Sequence, residues 1–182
     1  MRLPRFLSNS IAAVLCDPRC AGLAIAALSA ALIFGALYFE HAKGLEPCIL
    51  CLYQRIPHAI TFILGILAAA LSCKFNRPKL GSLFLFLSGL VFLSGAVLAI
   101  YHVGVEQHWW VSAFEACAAP GIYSASGNLL QEIESTAAVR CDIIPWSLFG
   151  ISMAGYNALI SFGMAIFSIV ASICSVRKAN GF

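Results

Sequence analysis

Four long uncharged stretches limit what this chain can fold into: Cys20–Phe39, Ile56–Cys73, Leu80–Val105 and Ile143–Val176. A helix needs about 20 consecutive apolar residues to cross a bilayer. Within lipid, every backbone N–H and C=O must find its partner inside the protein, which favours helices as the spanning unit. The 182 residues are 61% hydrophobic and only 10% charged, with a mean hydropathy of +0.91, which excludes a water-soluble domain. The expected fold class is an all-α membrane protein, a four-transmembrane-helix bundle with two outer loops. Ile56–Cys73 is short for a crossing unless Cys48–Gln54 extend it. Ile143–Val176 exceeds one crossing, so its first residues are expected at the interface.

The basic residues orient the bundle. Arg2, Arg5, Arg19, Lys74, Arg77, Lys79, Arg177 and Lys178 fall on one side, and only Lys43, Arg55 and Arg140 on the other. By the positive-inside rule the first side is cytoplasmic. The single membrane domain, 1–182, then divides into a cytoplasmic segment 1–19, spans at 20–39, 48–73, 81–102 and 146–174, and a cytoplasmic tail 175–182. Outer loops cover 40–47 and 103–145, and a cytoplasmic loop covers 74–80. The net charge of +3 belongs to this orientation and gives no sign of nucleic acid binding. Met1–Cys16 reads as a short interfacial helix and not as a signal peptide, since Asn9 and Asp17-Pro18 break its apolar run.

The cysteines sort with the topology. Cys48, Cys51, Cys117 and Cys141 lie outside, where disulfides are permitted; Cys16, Cys20, Cys73 and Cys174 lie inside, where thiols are expected to stay reduced. Four outer cysteines allow three connectivities. Glu46-Pro47-Cys48-Ile49-Leu50-Cys51-Leu52-Tyr53-Gln54-Arg55 carries the chemistry. Pro47 suits a first helical turn, and a helix starting there puts Cys48, Cys51 and Arg55 on one face. A helix N-terminus and a nearby guanidinium both favour thiolate over thiol, and the thiolate is the nucleophile. Cys117 and Cys141 share a long loop that can reach this fixed pair, which is what thiol–disulfide exchange requires. Two structural staples are the plainer alternative, but a staple has no need of a C-x-x-C beside a membrane-edge arginine.

Other readings fit less well. Zinc ligands come as two close pairs, whereas Cys117 and Cys141 are 24 positions apart, and no metal is assigned. Haem attachment fails because Leu52 follows Cys51. Arg55 is either a snorkelling interfacial cation or the group that stabilises the Cys51 thiolate and the oxygen of an electron acceptor. At that depth a lipid-soluble quinone is the natural acceptor. His102 closes the third span and can hydrogen-bond the same acceptor, or be interfacial only. His41, His58 and His108 are expected at interfaces with no assigned role. Trp109, Trp110, Tyr53 and Trp146 read as belt residues. Leu129, Leu130 and Ile133 suggest a short surface helix, and Pro120-Gly121 and Ser124–Asn128 suggest turns.

The chain resembles the DsbB family of inner-membrane disulfide-generating proteins over nearly its whole length. Pro47-Cys48-Ile49-Leu50-Cys51-Leu52-Tyr53-Gln54-Arg55 matches the family's P-C-x-L-C-x-Y-x-R, and Tyr101-His102, Cys117 and Cys141 also match. The resemblance implies catalytic roles for Cys48, Cys51, Cys117 and Cys141, and acceptor binding by Arg55, His102 and Cys51. Cys117 would form a mixed disulfide with a reduced DsbA-like periplasmic dithiol oxidoreductase. Cys141 would resolve it by exchange with Cys48, and Cys51 would face ubiquinone or menaquinone. The implied location is the bacterial inner membrane, multi-pass, with both termini cytoplasmic and the redox cysteines periplasmic. The alternatives are a membrane scaffold with structural disulfides, or a membrane thiol reductase running in the opposite direction.

Overall fold

The computed structural model describes residues 15–114, 117 and 140–180. Among them are four helices long and apolar enough to cross a membrane: α1 (Pro18–Lys43), α2 (Ile49–Cys73), α3 (Pro78–Glu106) and α4 (Met153–Ala179). Their most apolar windows have mean hydropathies between 2.0 and 2.5. The protein is a four-helix membrane bundle. The expected interfacial helix before Cys16, the surface helix near Leu129 and the turns at Pro120-Gly121 and Ser124–Asn128 lie outside the described residues.

The termini of the helices follow from local chemistry. Asp17 caps α1 by accepting from the Arg19 amide at 2.9 Å, with Pro18 at the first helical position, where its missing N–H costs nothing. Gly44 ends α1 at φ 67°, a left-handed conformation that glycine adopts without a Cβ clash. α2 starts at Ile49 with Cys48 as its N-cap, so Pro47 precedes the helix and does not sit in its first turn. The reason is that the Cys48 sulfur itself takes the capping bond, from the Cys51 amide at 3.3 Å. The expected fourth span opens differently from its sequence outline. Ser147–Leu148 and Ile151–Ser152 (β1 and β2) pair as a tight antiparallel hairpin, and α4 begins after Ser152, which caps it through the Gly155 amide. Phe149 and Gly150 form the turn, both at positive φ.

Small and hydroxyl residues face inward while large apolar ones face out. Ser29, Thr61, Ser72, Ser82, Ser88, Ser161, Ser168 and Ala68 are buried, whereas Phe34, Ile63, Val97 and Leu159 are exposed. This is the pattern of helices that pack in lipid, where close backbone approach replaces hydrophobic exclusion as the main attraction. α1 and α2 cross at Gly22 and Gly65. A Cβ on either glycine would lie 2.6 Å from the other's carbonyl oxygen, so this crossing admits only glycine. Ser29 and Thr61 hydrogen-bond between these helices at 2.9 Å, and Ser172 donates from α4 to the Ser82 carbonyl on α3 at 2.7 Å. α2 also packs on α3, and α3 on α4.

At the end of the bundle holding Ala179, Cys16 and Cys174 form a disulfide with Cα atoms 4.9 Å apart, which corrects the expectation that these thiols stay reduced. The segment before α1 lies against the last turns of α4, where Ser175 donates to the Cys16 carbonyl at 3.3 Å. Their 158-residue separation hid this proximity. Cys20 and Cys73 are free and exposed.

Candidate functional site

The opposite end of the bundle gathers the four cysteines of the sequence motifs. Cys48 and Cys51 sit on the first turn of α2 with their sulfurs 2.9 Å apart, in contact but unbonded. The Cys51 amide points at the Cys48 sulfur, and the N-terminal end of the helix adds its partial positive charge. Cys117 and Cys141 are joined by a disulfide with Cα atoms 5.0 Å apart. The two pairs are neighbours: Cys48, Leu50, Val105, Cys117 and Cys141 form one buried apolar cluster against which Cys51 and Tyr101 pack.

The start of the loop is held in place by aromatic residues. Trp110 stacks on Tyr101 with ring centroids 6.0 Å apart, and its indole N–H donates to the Tyr101 carbonyl at 3.1 Å. The ring occupies the space that a side chain at position 104 would need, and that residue is glycine. The Tyr101 hydroxyl accepts from the Ala113 amide at 2.7 Å. Phe114 packs on Tyr53 of α2 at 5.6 Å, and its carbonyl accepts from the Cys117 amide at 2.9 Å. Trp110 and Tyr53 thus brace the loop beside the Cys48/Cys51 turn.

Behind Cys51 a cavity of about 550 Å³ opens between α1, α2 and the first turns of α4. Its walls include Ala31, Ala36 and Ile160, and Cys48, Cys51, Arg55 and His102 line it as well. Trp146 also faces it and packs on Phe39 at 5.2 Å, so this tryptophan has a local role besides any interfacial one. Arg55 does not stand alone. Its Nη1 lies 2.7 Å from Oε2 of Glu40, on the last turns of α1, an acidic partner that sequence reading missed. Arg140 grips Asp142 through two bonds, at 2.9 and 2.6 Å. That guanidinium holds the Asp142 carboxyl below the usual carboxylate range.

His102 is 3% exposed. Its Nε2 lies 3.6 Å from the Cys48 sulfur and 3.9 Å from Glu106 Oε1, and its Nδ1 lies 2.8 Å from Gln54 Nε2. Glu106 is buried and accepts from the Ser152 hydroxyl at 2.5 Å. His58, expected at an interface, is 5% exposed and bonds to Asn157 at 2.8 Å. His58 lies more than two turns into α2, roughly 13 Å along it, and what sequence could not supply is the partner on α4 that satisfies it there. The polar residues Gln54, His58 and Thr61 recur at helical spacing, as do Asn157 and Ser161, a periodicity that marks a buried stripe and that the sequence reading did not use.

Cys48, Cys51 and His102 also place three potential metal-ligand atoms within 4.8 Å of one another. The 2.9 Å sulfur separation falls well below the edge of a tetrahedral zinc site, about 3.8 Å for Zn–S bonds of about 2.3 Å. The arrangement fits a pair of thiols one bond-forming step from a disulfide better than it fits a metal cage.

A family model described as disulfide bond formation protein DsbB matches residues 18–171. The chain is 30% identical over 161 residues to a disulfide bond formation protein B of Histophilus somni, covering 80% of each chain. It is also 30% identical over 166 residues to one of Psychromonas ingrahamii, covering 87% of this chain and 84% of that one. A disulfide bond formation protein B 2 of Pseudomonas savastanoi pv. phaseolicola is 31% identical over 149 residues, covering 78% and 81%. The relatives place the chemistry in disulfide oxidoreduction, in agreement with two adjoining cysteine pairs. The chain is a multi-pass bacterial membrane protein of the DsbB disulfide bond formation family.

Proposed function

We propose that the protein is a quinone-dependent thiol oxidase that reoxidises a DsbA-like periplasmic dithiol protein. The observation that carries this reading is the junction of three parts: a bonded cysteine pair on a loop, an unbonded pair on a helix N-terminus, and an apolar cavity behind the second pair. A thiolate of the partner attacks the Cys117–Cys141 bridge at Cys117, and Cys141 leaves as a thiolate. The second thiol of the partner then displaces Cys117, so the partner departs as a disulfide. Cys141 attacks Cys48 of a closed Cys48–Cys51 bridge and releases Cys51 as a thiolate. Cys117 closes back on Cys141, leaving Cys48 and Cys51 reduced with the two electrons taken from the partner.

The cavity suits a quinone headgroup. Its volume lies within the range of about 300–1,000 Å³ common for small-molecule sites, its walls are chiefly apolar, and Arg55 and His102 supply polar contacts near Cys51. When bound, a quinone supplies a two-electron, two-proton acceptor. Cys51 faces it, Arg55 stabilises negative charge at that sulfur and at the acceptor oxygen, and Glu40 holds the guanidinium in position. Energetics call for such an acceptor. A DsbA-type protein is poised near about −120 mV, whereas structural disulfides lie below about −300 mV. Oxidising the first with the second would be uphill by roughly 8 kcal/mol for two electrons.

The basic-residue asymmetry supports placing the four site cysteines on the periplasmic side, with both termini cytoplasmic. Purified protein in detergent, given a reduced DsbA-type partner and a soluble ubiquinone or menaquinone, should reduce the quinone, as followed by absorbance. Turnover should vanish in Cys51→Ser and Cys117→Ser, and the acceptor KM should rise in Arg55→Ala. Wild-type turnover in Cys51→Ser would leave only a cross-linked scaffold.

A further inference from the structure

A continuous polar chain crosses the core at the cysteine end. Gln54 Nε2 meets His102 Nδ1 at 2.8 Å, Asn157 Nδ2 meets Gln54 Oε1 at 2.6 Å, and His58 Nε2 meets Asn157 Oδ1 at 2.8 Å. Ser161 adds a bond to the same Asn157 oxygen at 3.2 Å. Each primary amide donates at one end and accepts at the other, and each neutral imidazole carries one N–H. Two amides in series between two imidazoles therefore have two self-consistent hydrogen arrangements. In the first, His58 Nε2–H donates to Asn157, Asn157 donates to Gln54, and Gln54 donates to a bare His102 Nδ1. In the second, all three bonds reverse.

Both ends of the chain select the first arrangement. At the His102 end, Nε2 faces the Cys48 sulfur at 3.6 Å and Glu106 Oε1 at 3.9 Å. The Cys51 sulfur, within 4.8 Å, is the third ionisable neighbour among the described residues, and all three become acceptors when charged. An N–H there has partners, whereas a lone pair would meet electron density. At the other end, His58 Nδ1 is buried with no hydrogen-bond partner among the described residues. The first arrangement makes it an unprotonated nitrogen; the second would bury an N–H with nothing to receive it, the costlier of the two defects.

We infer that Gln54, Asn157 and His58 are positioning residues that hold His102 as the neutral Nε2–H tautomer. His102 thereby acts as a hydrogen-bond donor to the reacting sulfur and not as the base that removes a thiol proton. The catalytic meaning rests on the oxidase reading, while the tautomer itself does not.

The test is nitrogen NMR of the resting full-length protein in detergent, labelled at its four histidines, with His102→Asn identifying the His102 signals. The wild type should show a protonated-type shift at Nε2 and a bare-type shift at Nδ1. In Gln54→Glu the new carboxyl, when ionised, can only accept, so His102 must then place a proton on Nδ1. In Asn157→Asp the aspartate accepts from Gln54, which turns its own carbonyl toward His102 with the same result. Both replacements are nearly isosteric, and either one that folds with its new carboxyl ionised, as its carbon-13 shift reports, decides the matter. A proton on Nδ1 in the wild type, or a bare Nδ1 retained in a folded variant whose new carboxyl is ionised, would overturn the assignment. Turnover separates the two claims: both variants should lose roughly tenfold in kcat, about the worth of one charge-assisted hydrogen bond. Unchanged kcat would remove the donor role of His102. A wild type with the stated tautomer and no quinone reduction would overturn the oxidase reading alone.

Discussion

The two ends of this bundle are built from different materials. At the end near Cys16 and Cys174, α1 and α2 touch backbone to backbone at Gly22 and Gly65, and Ala68, Ser72 and Ser82 fill the interior. Ser72 and Ser82 bond to carbonyls one turn back, on Ala68 and Pro78 at 2.8 and 2.9 Å, so their polarity is spent locally, and Ser172 bonds across to the Ser82 carbonyl. At the other end the interior holds Gln54, His58, His102 and Glu106, and α1 and α4 part around a cavity. Burying such groups costs free energy unless each is paired, and here Asn157 of α4 bonds Gln54 and His58 while Ser152 bonds Glu106, which ties three helices together. The first end holds the helices together. The second holds a hydrogen-bond network beside two cysteine pairs, an arrangement with a use in chemistry and little in stability.

Breaking the cysteine end should have the largest effect and should leave the fold alone. Cys48→Ala or Cys51→Ala is expected to cut oxidase turnover by roughly 10⁴-fold or more, as removal of a covalent nucleophile does, with the melting temperature in detergent little changed. The second effect in size lies at the other end. Removing the Cys16–Cys174 bridge with a double serine replacement should destabilise by about 2–4 kcal/mol, read in thermal unfolding, with kcat retained. Gly22→Val should follow, because its side chain would meet the Gly65 carbonyl. Overpacking of this kind costs about 1–3 kcal/mol, and the loss should again appear in unfolding and not in acceptor affinity.

The smallest effect sharpens the contrast within the cysteine end. Glu40→Gln removes the partner of Arg55. A partly exposed ion pair is worth at most about 1 kcal/mol, so stability should barely move. The acceptor KM, titrated with a soluble quinone, should shift by up to about fivefold. Equal damage to stability and turnover from variants at both ends would erase the division of labour.

Much of the fold was readable because membrane helices announce themselves. Lipid demands long uncharged runs, and four such runs become α1 to α4. The C-x-x-C motif was readable because Cys48, Cys51 and Arg55 fall on one helix face by spacing alone. Contacts that depend on how helices are set against one another were not. The Glu40–Arg55 pair needs the mutual register of α1 and α2, and the Cys16–Cys174 bridge needs the bundle to close before its two cysteines meet. His58 was hidden because its partner, Asn157, sits on another helix and needs the mutual register of α2 and α4. Cys48 as its own helix cap was unreadable for a different reason, since sulfur is a weak acceptor and gives little capping signal in sequence.

The central claim is that the loop pair and the helix pair exchange a disulfide. The most direct measurement is a map of disulfides in Cys51→Ser by proteolysis and mass spectrometry without reduction. With Cys51 gone, the Cys48 thiolate has no partner on its own helix and should attack Cys141, giving a Cys48–Cys141 bridge and a free Cys117. A Cys117–Cys141 bridge that persists unchanged beside a free Cys48, even after prolonged incubation, would mean that the pairs do not communicate.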